Sequence, residues 1–459
     1  MNRIIQRLPE NCGLDIIGDI HGYIAPLEKL LASLGYHGNQ PHAEGRQLVF
    51  CGDLIDRGPD SPAVVERVMG LVEAGHAQCI MGNHELNILL GETKHGNHWY
   101  ADPDDAEGNQ TAMRDPAAKK RLKEFFEGLP LVLENDQLRI VHACWDPRSI
   151  ELLRNESGSV LEVYHRYENK THERLAEGNL KKLAEQDRKA IGDAYYDPEA
   201  HAPFLWRVAA SDAIYQDNNP VRVTASGIEE PVKALPPGYY DHPLSEPEAE
   251  PFFAGGKWRM VRRVKWWNQY QEETPVIFGH YWRNFGTPDL AGVGKFGPDL
   301  FEGIEPHHWM GARNNVYCVD FSVGMRASEH GGGHLAAVRF PEWTVVHDEH
   351  DSLENAIAIE HSNDEAGRDA MTMTYEFWQS DKYGIIRQRS DEEGSCYPEV
   401  WRDGQWQTGS PYVMDAITGM GEDAYSCGEW AFEMIDEEAE QYAKTHDVDL
   451  FAENTDDCG

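Results

Sequence analysis

The chain has 459 residues, with 79 acidic and 41 basic side chains and a formal net charge of −38. This charge argues against a protein that coats nucleic acid or binds an anionic membrane surface, because both partners would be repelled. Hydrophobic residues make up 41% of the chain. That share is enough to bury a sizeable core, which excludes general disorder.

No apolar run reaches the roughly 20 residues that a membrane-spanning helix needs, and the N-terminal segment lacks a signal-peptide pattern. The eight cysteines are scattered and form no CxxC pair. Such cysteines are typical of reduced, buried thiols and not of a disulfide framework or a zinc site. We therefore predict a cytoplasmic protein.

Short apolar runs bounded by polar residues or glycine recur along the chain and predict strands buried on both faces. These runs are LDIIGDI (14–20), QLVFCGDLI (47–55), QCIMG (78–82), LRIVHAC (138–144), PVIFGH (275–280) and NVYCVDF (315–321). Residues 24–34 and 61–75 keep a helical period, with Ser61 as the predicted cap of the second helix. Strands that alternate with helices predict a layered α/β fold.

Later parts of the chain depart from this pattern. Residues 334–340 and 344–348 are candidates for strands of a second sheet or an edge. Residues 151–270 begin with a helical pattern and become rich in Pro, Gly and aromatic residues, which predicts an insertion or lid between two core strands.

The end of the chain is strongly acidic, with 30 acidic and 6 basic side chains in residues 341–459. We predict a main domain over 1–347 and an acidic C-terminal module over 348–459. The module is either a small folded unit with acids on its exposed faces or an arm that binds a basic protein partner or masks another part of the same chain.

Metal-ligating side chains stand at the ends of five predicted strands, in the motifs GDIHG, GDLIDRG, GNHE, VHAC and FGHY. The candidate ligands are Asp19, His21, Asp53, Asn83, His142 and His280. Each motif alone is as compatible with a turn as with a site. Together, six oxygen and nitrogen ligands at one edge of an α/β sheet suit a pair of divalent ions.

The residue types indicate the chemistry. Two neighbouring ions need a shared anionic oxygen to offset their repulsion, and the carboxylate of Asp53 can bridge them. Mixed imidazole and carboxylate ligands favour Mn, Fe, Zn or Ni over Ca or Mg. A water that bridges two such ions is acidified towards hydroxide, which makes it a nucleophile for phosphorus without a Ser or Cys nucleophile.

In this order the five motifs resemble the phosphoprotein-phosphatase (PPP) branch of the calcineurin-like metallophosphoesterases, over residues 14 to about 347. The resemblance implies a four-layer β-sandwich flanked by helices, with two metal ions that we expect to be Mn. It also implies that residues 1–347 are the catalytic domain. By this resemblance Asp19 and His21 hold the first metal, Asp53 bridges, and Asn83, His142 and His280 hold the second.

The same resemblance implies roles for three further residues. His84 is the expected general acid, oriented by Asp56, because an imidazolium paired with a carboxylate keeps its proton near neutral pH. Arg57 is expected to bind the phosphate as a planar two-pronged donor.

One position departs from the protein Ser/Thr phosphatases of the family. Those proteins have an arginine just before GNHE, where this chain has Met81. The departure indicates bacterial PPP-like phosphatases and symmetrical dinucleoside tetraphosphatases as the more similar members. In the basic segment 257–267, Arg262 or Arg263 is a candidate substrate contact, and the alternative is a solvated face paired with acids. Tyr281 is a further candidate because it follows His280.

We predict a metallophosphoesterase that hydrolyses phosphomonoesters, of phosphoproteins or small metabolites, by attack of a metal-bridging hydroxide. The alternative is a symmetrical bis(5'-nucleosyl)-tetraphosphatase. The net charge disfavours a nucleic-acid end phosphatase. A metal-bound scaffold without activity is disfavoured by His84, Asp56 and Arg57, because metal binding alone does not require them.

Overall fold

The computed structural model describes most of residues 3–360 and, after them, only short strands up to residue 434. The described ranges are 3–92, 96–102, 110–200, 203–236, 238–240, 249–254, 256–285, 299–327, 333–350 and 352–360. The chain divides into two compact units, Met1–Ser362 and Asn363–Gly459. Of the helices in these ranges, none combines the length and the apolar character needed to cross a bilayer.

Two mixed sheets form the centre of the first unit. The first sheet has the strand order β1-β5-β6-β11-β12 and consists of β1 (Ile5–Arg7), β5 (Val132–Glu134), β6 (Arg139–Val141), β11 (Val276–Phe278) and β12 (Val316–Cys318). The second has the order β15-β14-β13-β2-β3-β4 and consists of β2 (Leu14–Ile17), β3 (Gln47–Phe50), β4 (Ala77–Cys79), β13 (Ala336–Phe340), β14 (Thr344–His347) and β15 (Ile357–Ala358).

Parallel pairing brings the important strand ends together. Strands β2, β3 and β4 are parallel neighbours, and so are β6, β11 and β12. Each set therefore delivers its carboxyl ends to a single edge of its sheet.

Helices cover the outer faces of the two sheets. The helices described in the first unit are α1 (Ile24–Ser33), α2 (Ser61–Glu73), α3 (Asn83–Leu90), α4 (His98–Ala101), α5 (Pro116–Glu127), α6 (Pro147–Arg154), α7 (Val160–Ala176), α8 (Leu180–Ile191), α9 (Trp206–Asp217) and α10 (Pro220–Ser226), of which α8 and α9 pack with the small strands of the insertion. Between the sheets, Ile16 and Val49 share a fully buried cluster with Ile140 and Ile277. The opposite strand faces are buried with helical side chains. This helix–sheet–sheet–helix arrangement confirms the predicted four layers.

The predicted helices over 24–34 and 61–75 are present as α1 and α2. Each is followed by a glycine with positive φ, Gly35 at 92° and Gly75 at 77°, as expected where a helix ends in a left-handed residue. The predicted cap of α2 is wrong by one residue. The Asp60 side chain accepts the cap bond from Ala63, because the Ser61 hydroxyl instead accepts the backbone N–H of Asp56 at 2.9 Å.

The segment predicted as an insertion contains helices α7 to α10 and two small antiparallel sheets of two strands each. These sheets pair β7 (Glu229–Pro231) with β10 (Val261–Arg263), and β8 (Phe252–Ala254) with β9 (Lys257–Arg259). Ser159 and Glu162 form a capping box at the start of α7. Helix α10 reaches the metal-ligand edge, because the carbonyl of Thr224 accepts the backbone N–H of Ala143, next to His142.

The second unit is described only as strands. They are β16 (Thr374–Ser380), β17 (Gly384–Asp391), β18 (Gly394–Ser395), β19 (Glu399–Arg402), β20 (Gln405–Thr408) and β21 (Phe432–Met434). Strands β20, β19, β17, β16 and β21 follow one another across a sheet, and β18 pairs with β17. The predicted domain boundary at residue 347 stays a prediction, as does the role of the acidic module, most of which lies outside the described residues.

Candidate metal centre

The loops that follow β2, β3 and β11 carry strained residues. His21 has φ 49°, Asp53 φ 49° and His280 φ 69°, all in the left-handed region. Non-glycine residues reach this region at a cost of about 1–3 kcal/mol and keep it only where the surroundings fix the backbone, most often at functional sites. Asp56 and Arg57, at 72° and 67°, belong to the same group.

Two motif glycines let the backbone approach the carboxylates closely. A Cβ atom at Gly82 would collide with Asp53, and one at Gly279 would collide with Asp19. Glycine is therefore required at both positions for steric reasons. The glycines of GNHE and FGHY therefore let the backbone pack against the side chains of the candidate ligands.

Asp53 is shared by two groups of potential ligands. One group is His21, Asp53 and His84, the other is Asp53, His142 and His280, and in each the ligand atoms lie within 4.8 Å of one another. Oδ1 of Asp53 lies 3.3 Å from Nε2 of His142, whereas Oδ2 lies 3.9 Å from Nε2 of His21. The two oxygens of one carboxylate thus face two different sets of nitrogens, as a bridging ligand requires.

The histidine rings are turned with one nitrogen towards the carboxylates. Nδ1 of His21 lies 3.0 Å from the carbonyl of Ile55, and Nδ1 of His142 lies 2.6 Å from the carbonyl of Cys51. Donation of Nδ1–H to a carbonyl leaves Nε2 with a free electron pair, the usual form of a metal-bound histidine. Nε2 of His280 is buried and has no hydrogen-bond partner among the described residues. These donors fit divalent metal ions.

The remaining predicted ligands lie in the same place. Both carboxylate oxygens of Asp19 accept the backbone N–H of His280 at 3.2 Å, and Oδ2 of Asp19 lies 3.8 Å from Nε2 of His21. Oδ1 of Asn83 lies 3.3 Å from Nε2 of His142. The structure therefore brings all the predicted metal ligands together, and their roles as ligands stay a prediction.

Buried charges make the site attractive to cations. Burial and the neighbouring carboxylate of Asp320 raise the pKa of Asp19 well above its usual value. Burial and the nearby guanidinium of Arg57 lower the pKa of His21. Burial and the charge of Arg263 do the same to the pKa of His280. Close carboxylates need a counter-charge, and the neutral imidazoles of His21 and His280 have electron pairs to offer, so both features suit metal binding.

His84 and Asp56 form a buried pair beside these ligands. Nδ1 of His84 lies 2.6 Å from Oδ2 of Asp56, and the other oxygen of Asp56 accepts the indole N–H of Trp99 at 2.7 Å. Burial by itself lowers the pKa of His84, but the charge of Asp53 and the bond to Asp56 outweigh it and raise that pKa. A raised pKa suits a group that must hold a proton before donating it.

The guanidinium of Arg57 lies beside His21 and His84, with one terminal nitrogen near each ring. Its Nη1 lies 2.9 Å from Nε2 of His21, and its Nη2 lies 3.4 Å from Nε2 of His84. The guanidinium lies 4.3 Å from the ring centroid of Trp282, which supports it from one face. A phosphoryl group at the metal ligands would therefore lie within reach of a fixed two-pronged donor.

Three residues that support the site were not predicted. The buried carboxylate of Glu85 accepts the backbone N–H groups of Asp53, Leu54 and Gly82, each at 2.9 Å. Burial and the Asp53 carboxylate raise the pKa of Glu85 to about 7. Asp320 accepts the N–H of Trp282 at 2.9 Å. Asp320 lies just after the buried strand β12, so the rule that found the other strand-end residues could have identified it from the sequence.

Trp99 is the third of these residues. Trp99 is fully buried, and its indole N–H donates to Asp56. Its contact joins residues 43 positions apart in the sequence. No local pattern in the chain indicates such a bond.

The three candidate substrate contacts have different surroundings. Nε of Arg262 bonds Glu230 at 2.8 Å across the β7–β10 pair. Nη1 of Arg263 lies 3.4 Å from the carbonyl of His280, at the edge of the metal ligands. Tyr281 is 3% exposed and packs in the hydrophobic core. Of the two arginines, Arg263 lies at the backbone of a candidate ligand, and it faces Glu229 across the β7–β10 pair.

Comparison with known proteins agrees with the geometry. Residues 14–225 match the family described as calcineurin-like phosphoesterase. The asymmetrical bis(5'-nucleosyl)-tetraphosphatase PrpE of Bacillus subtilis is 36% identical over 142 residues, which are 28% of this chain and 56% of that protein. The symmetrical bis(5'-nucleosyl)-tetraphosphatase of Ralstonia nicotianae is 42% identical over 73 residues, which are 16% of this chain and 23% of that protein.

The chain thus spans about half the length of the curated relatives it matches, or less. Among solved structures, the cold-active protein-tyrosine phosphatase of a psychrophilic Shewanella species is 13% identical, with a TM-score of 0.33 over 77% of this chain and 83% of that one.

Proposed function

We propose that this chain, whose residues 14–225 match the calcineurin-like phosphoesterase family, hydrolyses phosphate esters or anhydrides with the help of two divalent metal ions. The proposal rests above all on Asp53, because its two oxygens face two separate groups of histidine nitrogens. Asp19 and His21 would hold one ion, and Asn83, His142 and His280 the other. We propose Mn²⁺ as the metal, with Fe, Zn or Ni as alternatives.

The bound ions would supply a water of lowered pKa as nucleophile and would neutralise charge on the phosphoryl oxygens. The protein's own groups supply the rest. Arg57 binds and orients the phosphoryl group through its two terminal nitrogens. His84 donates the proton on Nε2 to the leaving oxygen, while Asp56 holds Nδ1 and stabilises the imidazolium until that transfer.

Trp99 and Glu85 keep this arrangement in place. The indole N–H of Trp99 fixes the second oxygen of Asp56, so the carboxylate cannot rotate away from His84. Glu85 ties the loop of Asp53 to the start of α3, since it binds backbone N–H groups from both segments. Both are positioning residues that act through the groups they hold.

Two substrate classes fit the site. The first is phosphomonoesters, either phosphoprotein or small phosphorylated metabolites, for which Arg57 and the metal ions are sufficient. The second is dinucleoside tetraphosphates. The similarity to the two bis(5'-nucleosyl)-tetraphosphatases supports this class. Met81 lies in the core, fully buried, so the position before GNHE contributes no phosphate contact. We propose that Arg263 supplies the additional positive charge.

The proposed partner of the protein is therefore the phosphorylated substrate. We keep the expectation of a cytoplasmic protein, which five free cysteines in the described part support. A basic protein partner for the acidic C-terminal region remains a separate hypothesis.

A substrate panel tests the proposal. The full chain is freed of metal, loaded with Mn²⁺ and assayed on p-nitrophenyl phosphate, bis-p-nitrophenyl phosphate, a phosphopeptide and diadenosine tetraphosphate. We expect Mn²⁺-dependent turnover that Asp53→Asn reduces by about 10³-fold or more, because several kcal/mol of transition-state stabilisation are lost. Asp136→Asn, the same change at an exposed position, is the matched control.

The pattern of turnover distinguishes the classes. Selective cleavage of diadenosine tetraphosphate supports the tetraphosphatase, and turnover of the monoesters supports the broader phosphatase. Equal turnover by wild type and Asp53→Asn, or none on any substrate, contradicts the proposal.

A further inference from the structure

A second group of histidines lies outside the metal centre, where β13 and β14 meet. His334 precedes β13, His347 ends β14 and Asp348 follows it. One ligand atom from each of these three residues lies within 4.8 Å of the other two. We call these residues the His334 cluster.

The imidazoles of this cluster are available as donors. Nδ1 of His334 is buried and has no hydrogen-bond partner in the described structure, and it lies 3.9 Å from Oδ1 of Asp348. The ring of His347 is 4.6 Å from that of His334 and 3.6 Å from that of His350. Burial, with His350 and His334 as neighbours, lowers the pKa of His347 to about 4. Neutral imidazoles are the form that binds metal ions.

Asp348 is held in a fixed orientation. Its oxygens accept two bonds from Arg326, at 2.8 and 3.1 Å, and one from the backbone N–H of Leu335 at 3.0 Å. A carboxylate has about four acceptor positions, so one more ligand can be accommodated. An ion at Asp348 would share the carboxylate with Arg326, which bonds both of its oxygens and keeps it oriented.

Neighbouring groups complete the surroundings. Oε2 of Glu349, whose side chain is exposed, lies 3.8 Å from Nδ1 of His334 and could add a second carboxylate. The ring of Phe285 packs against both His334 and His347, which gives the cluster an apolar wall. The backbone N–H of Glu349 donates to Nδ1 of His347 over 3.3 Å, a long bond that an ion can replace.

We propose that His334, His347 and Asp348 form a binding site for a divalent transition-metal ion of the Zn²⁺ type. This site is separate from the phosphoesterase centre, the name used here for the group Asp19, His21, Asp53, Asn83, His142 and His280. Two imidazoles and a carboxylate suit such ions, with water or Glu349 in the fourth position. His334 precedes β13, and His347 and Asp348 lie at the end of β14, so the ligands meet at the open end of the β13–β14 hairpin. A bound ion would hold the two strands together there. The proposal goes beyond the phosphoesterase function and does not depend on it.

Cobalt binding tests the proposal, since Co²⁺ replaces Zn²⁺ and gives visible absorption bands. The metal-free full chain is saturated with Co²⁺, and bound metal is counted after dialysis. We expect His347→Gln and His334→Gln each to bind one equivalent less than wild type. His37→Gln, the same change at an exposed histidine, should bind as much as wild type.

Two further arms separate this site from the other. Asp53→Asn should lose Co²⁺ at the phosphoesterase centre yet retain the absorption that His347→Gln removes. Circular dichroism shows whether each variant is folded, and His334→Gln serves if His347→Gln is not. Equal Co²⁺ content in wild type, His334→Gln and His347→Gln overturns the proposal, and so does loss of all Co²⁺ absorption in Asp53→Asn.

Discussion

Two histidine clusters of the first unit, the phosphoesterase centre and the His334 cluster, hold their rings in different ways. In the phosphoesterase centre, backbone carbonyls fix Nδ1 of His21 and His142 at 3.0 and 2.6 Å, so Nε2 is oriented before any ion binds. In the His334 cluster, Nδ1 of His347 accepts a 3.3 Å bond from a backbone N–H, and the fixed member is Asp348.

This difference predicts a difference in metal affinity. Both clusters must give up one bond on binding, from Arg57 to Nε2 of His21 and from Glu349 to Nδ1 of His347, but the rings of His21 and His142 are already oriented and so lose less freedom. The phosphoesterase centre is also closed off from solvent, with His21 1% and His142 0% exposed. We therefore expect the centre to retain its metals against a chelator that empties the His334 cluster.

The largest effect is expected for His84→Gln, because it removes the proposed acid without removing a predicted ligand. The kcat should fall by about 10²–10⁴-fold for a substrate with a poor leaving group and much less for p-nitrophenyl phosphate, whose leaving group needs no proton. Bound Mn²⁺ should stay at the wild-type level. Loss of Mn²⁺ in this variant would instead make His84 a ligand, which its place in the group with His21 and Asp53 permits.

A smaller effect is expected for Trp99→Phe, which keeps an aromatic ring but removes the N–H that binds Asp56. A hydrogen bond to a charged group contributes about 1.5–3 kcal/mol, so kcat should fall by roughly tenfold. Trp258→Phe is the control, since its N–H binds a backbone carbonyl in the insertion. Steady-state kinetics that show equal kcat for both variants would exclude the positioning role of Trp99.

A still smaller effect is expected for Arg263→Ala, since this side chain lies beside the carbonyl of His280. Loss of one half-buried phosphate contact should raise KM a few-fold, about 1 kcal/mol, with kcat little changed. Arg262→Ala, which removes the partner of Glu230, should leave KM near the wild-type value. A larger increase in KM for Arg262→Ala than for Arg263→Ala would indicate that the substrate contacts Arg262 instead.

The smallest effect on turnover is expected for His347→Gln. If the two clusters are independent, kcat and KM in saturating Mn²⁺ should equal those of wild type, because additivity holds for sites without shared partners. A large loss of kcat in the folded variant would show that the clusters are coupled.

The sequence was most informative about the strand ends. Parallel strands deliver Asp19 and Asp53 to one edge of the second sheet and His142 and His280 to one edge of the first, so apolar runs followed by ligand-type residues indicated both halves of the cluster. The same reasoning predicted the layered fold, since each motif follows a buried strand.

Contacts across long sequence distances could not be predicted in this way. The bond from Trp99 to Asp56 depends on how α4 packs, and the bonds of Glu85 depend on the approach of two loops. The His334 cluster forms only because β13 and β14 pair, which brings together residues 13 and 14 positions apart. Tertiary packing, and not local pattern, determines these positions.

The central claim is that one carboxylate, Asp53, joins two metal ions, and electron paramagnetic resonance of the Mn²⁺-loaded full chain tests it most directly. We expect wild type at saturating Mn²⁺ to give the multiline spectrum of two exchange-coupled ions, and Asp53→Asn to give only the signal of isolated ions. A wild-type spectrum of isolated Mn²⁺ alone would contradict the account.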